Sequence, residues 1–383
     1  MDKHARKVDV VVHANMLLTI KMMLESSSLI TLNEWFATGI DAVILLLICS
    51  KLLKQKYKKK ELIFITIIGL LCSYSSITVG NFYLFFAYLF IIAMKGVNLY
   101  QMLSYRIIVK IGVIAVHVII FMLNLLLDSG RISTVVRNGV IRYDFFLGQP
   151  NTCQMYILWT SIELIFVIYE RLKAGHLCLI FASNVIFYMF TNSNTSIILL
   201  ILLMFFVMGE KYNSTCIKRI YSEIASKGFG LLSILFAIIV ASYEKMPEAV
   251  RVLYRLLDKF FTGRIAYGAY AYHLYGFSIA GQSVQFPGLR QWMGQWFDSL
   301  YLDNSYCWLL MGYGIIFILL ISCFLLKYVE YMNEIEKICV AIMVLYAVTE
   351  SYALDVSKCF PLMIIGCVYY RVKGMQEQYA NSY

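Results

Sequence analysis

The sequence predicts an all-α protein: a polytopic integral membrane helical bundle of about 11–12 transmembrane helices, with a large extracytoplasmic loop containing short helices. Three observations lead there. Of 383 residues, 61% are apolar and only 15% charged, against roughly 45–50% and about 25% in soluble domains, so whole stretches lack a solvated face and an ordinary soluble enzyme is excluded. Long apolar runs alternate with charged clusters and match the ~20 residues a helix needs to cross hydrocarbon. Residues 195–209 and 305–326 are apolar on every face, whereas barrel strands alternate between a lipid face and a lumen face. Four prolines and 22 glycines are too few for a disordered or fibrous chain.

In order, spans are expected near residues 16–36, 37–53, 61–79, 82–94, 107–127, 152–170, 176–190, 195–209, 229–242, 305–326, 337–354 and 358–370. The first carries Lys21 and Glu25. It can instead lie along the interface as an amphipathic helix, which would put the amino terminus outside. The basic start, Met1 to Lys7, is followed by no cleavable signal core, so the first apolar segment is expected to stay in place. The chain reads as a single integral membrane domain over 1–383. Most of its ten cysteines, among them Cys49, Cys72, Cys178, Cys323, Cys339 and Cys367, sit in apolar runs. None is spaced as a metal or redox pair, so they read as small buried hydrophobes, and neither metal nor cofactor is expected.

Sidedness follows from lysine and arginine. The run Lys51, Lys54, Lys56, Lys58, Lys59 and Lys60, the pair Arg171 and Lys173, and Lys211, Lys218, Arg219 and Lys227 fall on one side, which the positive-inside rule makes cytoplasmic. A first outer loop at 128–151 and a large outer loop at 243–304 result. Under this topology 18 of 21 lysines lie at the inner face or in the first segment, but only 5 of 12 arginines do. Arg131, Arg137, Arg142, Arg251, Arg255, Arg264 and Arg290 face out. A topogenic signal needs only positive charge, so separating guanidinium from ammonium calls for a second reason, and guanidinium forks suit phosphate and carboxylate. The plainer account is that these arginines pair with Asp128, Asp144, Glu248, Asp258 and Asp298.

The outer segments carry the polar constellations. Gln149-Pro150-Asn151-Thr152 opens an apolar run, with Asn151 or Thr152 as cap and free amides as an anion site, or as a plain helix entry. The polar turn Thr191 to Ser196, which includes Asn194, is stable only at an interface or a water-filled cavity; it is either sugar-binding or a simple hairpin. In the large loop, Pro247 and Gly263 bracket a helix with Val250, Leu253, Leu257 and Phe260 on one stripe and Arg251, Arg255, Asp258 and Lys259 on the other. Trp292, Trp296 and Trp308 follow, as interfacial anchors or as platforms for a sugar face. Asp303-Asn304-Ser305-Tyr306 stands where the loop re-enters the membrane, with Asp303 either a helix cap or a general base and His273 the competing base.

Many spans, a large outer loop late in the chain, and Gln149-Pro150-Asn151-Thr152, Asn192-Ser193-Asn194-Thr195, Thr262-Gly263-Arg264 and Asp303-Asn304-Ser305-Tyr306 in that order resemble a Wzy-type polysaccharide polymerase, of the O-antigen ligase superfamily. The resemblance covers roughly residues 60–370. It implies a metal-independent glycosyltransferase of the cytoplasmic membrane, acting at its outer face in exopolysaccharide, capsule or O-antigen biosynthesis. Such an enzyme moves a glycan from undecaprenyl diphosphate, a polyprenyl diphosphate carrier, onto another carrier-linked repeat unit. By position, Arg264 and Asp303 would be catalytic, and Arg142, Arg137, Arg255, Asn151, Asn194, Asn304 and Tyr306 would bind substrate. The implied partners are the lipid-linked oligosaccharide, membrane lipid, and a chain-length regulator and flippase of the same pathway; nucleic acid is not among them. Asp303 stands where related ligases commonly have histidine, and Gln149 where histidine is frequent.

Two other functions fit the same topology. A ligase would pass the glycan to a different acceptor. A lipid-linked oligosaccharide flippase or transporter would need ionisable residues along a path through the bilayer. The in-span candidates for that path are Lys21, Glu25, Asp41, Lys110, His117, Glu163 and Glu350.

Overall fold

The computed structural model describes residues 8–127, 132–137, 139–260, 263–285, 288–297 and 302–380. It is helical almost throughout. Helix α1 (Val10–Glu25) begins at Asp9, whose carboxylate accepts from the Val11 amide at 3.0 Å. Helix α2 (Glu34–Lys54) begins at Asn33, which caps Trp35 N at 3.0 Å, and carries Lys51 and Lys54 in its last turn, where the carbonyl end of the dipole favours cations. Then come α3 (Lys59–Val79), α4 (Tyr83–Ala93) and α5 (Leu99–Leu126), the last capped by Asn98 on Gln101 N. A short antiparallel hairpin, β1 (Thr134–Arg137) and β2 (Val140–Tyr143), precedes α6 (Pro150–Ile168), α7 (Ala174–Thr191) and α8 (Asn194–Lys211).

Helix α9 (Thr215–Glu223) runs through a wide π turn into α10 (Phe229–Ser242). After α11 (Glu248–Phe260) and α12 (Arg264–Tyr275), a second hairpin pairs β3 (Arg290–Trp292) with β4 (Gln295–Phe297). The chain ends with α13 (Ser305–Trp308), α14 (Ile315–Tyr328), α15 (Glu334–Tyr346) and α16 (Pro361–Ala380). Among the described residues seven helices are long and apolar enough to cross a membrane: α2, α3, α5, α6, α7, α8 and the continuous stretch Thr215–Lys245.

Several expected spans differ in the structure. Residues 16–36 do not form one helix, because the chain leaves α1 at Ser26 and re-enters helix only at Glu34. The run 305–326 is broken at Gly314, whose φ of 117° suits only glycine and where a Cβ would stand 2.4 Å from the Ile279 carbonyl oxygen. The run 337–354 leaves the α-helix at Tyr346 and resumes only as a short 3-10 turn at Ser351–Leu354. Residues 82–94 give an 11-residue helix, about half a bilayer crossing. Around Gly314 and after Tyr346 the apolar content continues because those turns are mostly buried, whereas the turn at 26–33 is largely exposed. Cys49, Cys178 and Cys323, expected to be buried, are exposed on apolar helices, whereas Cys72 and Cys339 are buried.

The chain divides into two compact units: Met1–Lys56 with Phe90–Met208 and Tyr369–Tyr383, and Tyr57–Leu89 with Gly209–Val368. In the first, α6 is the central helix, and its Tyr156, Trp159 and Ile162 are sealed from solvent. Phe121, Phe145, Phe146 and Leu147 form a cluster at one end, with the Phe121 and Phe145 rings 4.5 Å apart. In the second, Tyr306 packs edge-on to Phe229 and stacked on Phe236, and Gly228 lets α15 approach so closely that a Cβ there would meet Val344 at 2.9 Å.

Candidate functional site

In the second unit the structure brings together Arg264, Asp303 and a residue that the sequence motifs did not contain, Glu350. Gly263, with φ of 89°, turns the chain between α11 and α12. Asp258 of α11 then accepts from the first amides of α12, Ile265 N at 2.7 Å and Ala266 N at 3.1 Å. That cap occupies the helix entry and fixes Arg264, the first residue of α12. Burial pushes the Asp258 carboxyl upward, against the pull of those two amides. From Arg264, Nη2 lies 3.3 Å from Glu350 Oε1 and 3.9 Å from Asp303 Oδ2. The Arg264 and Glu350 side chains are 8% and 11% exposed, the Asp303 side chain 50%. One guanidinium thus faces a sealed carboxyl and an open one.

The residues after Asp303 build the seat for Glu350. Asn304 caps α13 at Cys307 N and donates to the Val348 carbonyl at 2.6 Å. Ser305 donates through its amide to Ala347 O and through its hydroxyl to Glu350 O, and Tyr306 OH donates to Val344 O at 2.7 Å. Three successive side chains therefore lace the turn after α15. Glu350 sits in that turn, outside both flanking helices, and burial pushes its carboxyl up to about 8; Arg264 and Lys358 pull it down, while Asp303 adds to the rise. Lys358 is itself buried, 3.3 Å from Asp355 and over the Tyr352 ring at 3.7 Å.

Arg142, Asn151 and Asn194 fall in the first unit. Buried Arg142 on β2 donates from Nε to Thr191 O at 2.7 Å and from Nη2 to Asn151 Oδ1 at 2.6 Å, tying the hairpin to α6 and to the end of α7. Its guanidinium is pulled below its usual value, by burial first and then by Arg137. The cap of α6 is Gln149, with Pro150 as first residue, two or three positions before the expected Asn151 or Thr152. Asn194 Oδ1 accepts from Tyr188 OH at 2.9 Å. Asp144, one of the expected arginine partners, accepts from Ser133 and from Phe146 N instead.

Arg137, Arg255 and Arg290 are exposed, and Arg251 donates to Met246 O. His273 lies 3.2 Å from Glu244, with its ring beside Trp292. Arg131, Thr262, Asp128 and Asp298 lie outside the described residues. The structure thus gathers Arg264 with Asp303, and Arg142 with Asn151, each within one unit. Glu350 was visible in the sequence only as a carboxylate in an apolar run, and such a residue usually marks function. No protein-family model matches the chain, and no curated protein or solved structure does so either.

Proposed function

We propose that this protein is a membrane glycosyltransferase that polymerises oligosaccharide repeat units carried on a polyprenyl diphosphate at the outer face of the cytoplasmic membrane. The observation that carries this reading is the Arg264 group: a guanidinium fixed by a helix cap and a buried carboxyl, next to a half-exposed carboxylate. A Glu350 with its pKa near 8 is largely neutral at pH 7 and does not itself quench the charge of Arg264. That charge meets the diphosphate of the donor and stabilises it as the bond from the anomeric carbon to the phosphate oxygen breaks. Asp303 accepts the proton of the acceptor hydroxyl as that oxygen bonds to the anomeric carbon. The leaving group is the polyprenyl diphosphate. Exposed Arg255 adds a cation in the unit of Arg264, and exposed Arg137 one in the other unit, where Arg142 and Asn151 hold the first hairpin in place.

The test is the polymer ladder made by cells expressing variants at equal protein level. Arg264→Lys keeps the charge but loses the planar fork, and Asp303→Asn loses the base. Both should leave single repeat units on the lipid carrier. A normal ladder from either variant would sink the reading, and accumulation of long unattached glycan on deletion would replace it with transfer to another acceptor.

A further inference from the structure

Helix α11 is turned the wrong way round for a helix at a water-facing surface. The side it presents to the rest of its unit is that of Tyr254, whose ring meets Tyr243 at 6.3 Å, and of buried Asp258. At about 100° per residue, Val252, Leu253, Leu256 and Leu257 occupy the opposite arc. All four are exposed, by 41 to 63%. Arg255 and Lys259, also exposed, border that arc on the Val252 edge. Later in the same loop Ile279, Leu289 and Trp296 are exposed as well.

Charge identifies what covers this face. Along α11 the cations Arg251, Arg255 and Lys259 stand against Glu248 in the first turn and Asp258, which is buried as the cap of α12. Beyond that first turn the apolar arc and its Arg255 and Lys259 edge hold no carboxylate, so the basic residues of a mixed-charge protein surface would find no partner along it, whereas a plane of phosphodiesters needs none. Position agrees, because only Met246 and Pro247 separate α11 from the spanning-length stretch Thr215–Lys245. The helix therefore starts where a long apolar helix ends.

We propose that α11 is an in-plane membrane helix whose Val252, Leu253, Leu256 and Leu257 face enters the acyl boundary of the adjacent leaflet while Arg255 and Lys259 contact anionic phospholipid headgroups. Such helices combine an apolar face with a basic edge, and their long cationic stems reach up to the phosphates. The opposite side of α11 carries the Asp258 cap, so leaflet binding would set the height of Arg264 relative to the headgroups.

The test uses the full chain in lipid nanodiscs, with an environment-sensitive fluorescent amino acid placed at Leu253 or Leu256. Lipid spin-labelled near the headgroup should quench most of the emission, and aqueous iodide little. Iodide quenching without lipid quenching overturns the proposal, as does loss of lipid quenching together with a dimer in which a second copy covers the face. In discs mixing phosphatidylglycerol with phosphatidylcholine, native mass spectrometry should find phosphatidylglycerol retained preferentially. Arg255→Gln and Lys259→Gln should each lower that preference roughly fivefold, as expected for a surface cation at an anionic leaflet. Unchanged retention in both variants overturns the headgroup contact, and Lys337→Gln, paired to Glu334 on another helix, serves as control.

Discussion

Glu350 carries the sharpest expectation at the scale of one residue. At its ordinary value of 4.5 a glutamate 3.3 Å from a guanidinium would be ionised near pH 7; burial moves it up to about 8. A carboxyl whose folded-state pKa is raised contributes its full stabilisation below about pH 4.5 and loses it as pH rises through about 8. The functional sign is the same. Above about 8 the carboxylate ionises, pairs with Arg264 and cancels the charge on which the proposed diphosphate contact rests. Polymerisation rate should therefore fall as pH climbs through that value, and Glu350→Gln should flatten this limb while keeping activity at pH 7. Superimposable profiles for the two proteins would remove Glu350 from the site. Asp303 and Arg264 could be read as a pair from their places in the loop, but the third member could not. Glu350 reaches them only because Asn304, Ser305 and Tyr306 bind the turn that holds it, a tertiary arrangement without local signature.

Among the elements, Asp9, Asn33 and Asn98 cap helices that start earlier than the spans expected from residues 16, 37 and 107, but the apolar runs themselves were legible as helices. The breaks were not. Residues 305–326 give no compositional hint of the stop at Gly314, which is imposed by the Ile279 backbone pressing against it. The cap linking α11 to α12 can be weighed directly: Asp258→Ala removes the acceptor for two amides and should cost about 1 kcal/mol of stability in thermal unfolding. Helices α5 and α6 present a harder case. Arg106 and Lys110 on α5 reach Glu163 Oε1 on α6 at 2.8 and 2.7 Å, with all three side chains sealed from solvent. Removing one partner of a buried charged group strands the others, so Glu163→Gln should destabilise by about 3–5 kcal/mol. Replacing all three by methionine should restore stability; if that variant is stable yet inactive, the triad belongs to function, and the transport reading gains a functional charge cluster among its in-span candidates.

For the whole molecule, the decisive quantity is the side on which the guanidinium groups stand, because the proposed reaction takes place at the outer face. The lysine-rich segments between spans predict one orientation. Apolar helices that expose Trp35, Leu46, Leu70, Ile108 and Leu179 fit immersion in lipid but carry no direction. Direction can be read with native Cys216, exposed at the start of α9 beside Lys218 and Arg219, against cysteines placed at Val136 on β1 and Gln291 on β3. A membrane-impermeant maleimide added to intact cells should modify Val136→Cys and Gln291→Cys within minutes, and reach Cys216 only after the membrane is permeabilised. The expected contrast is tenfold or more, since labelling across an intact bilayer is negligible for a charged reagent. The reverse pattern would place Arg264 and Asp303 in the cytoplasm, where no flipped donor waits, and polymerisation at the outer face would then be physically impossible for this chain.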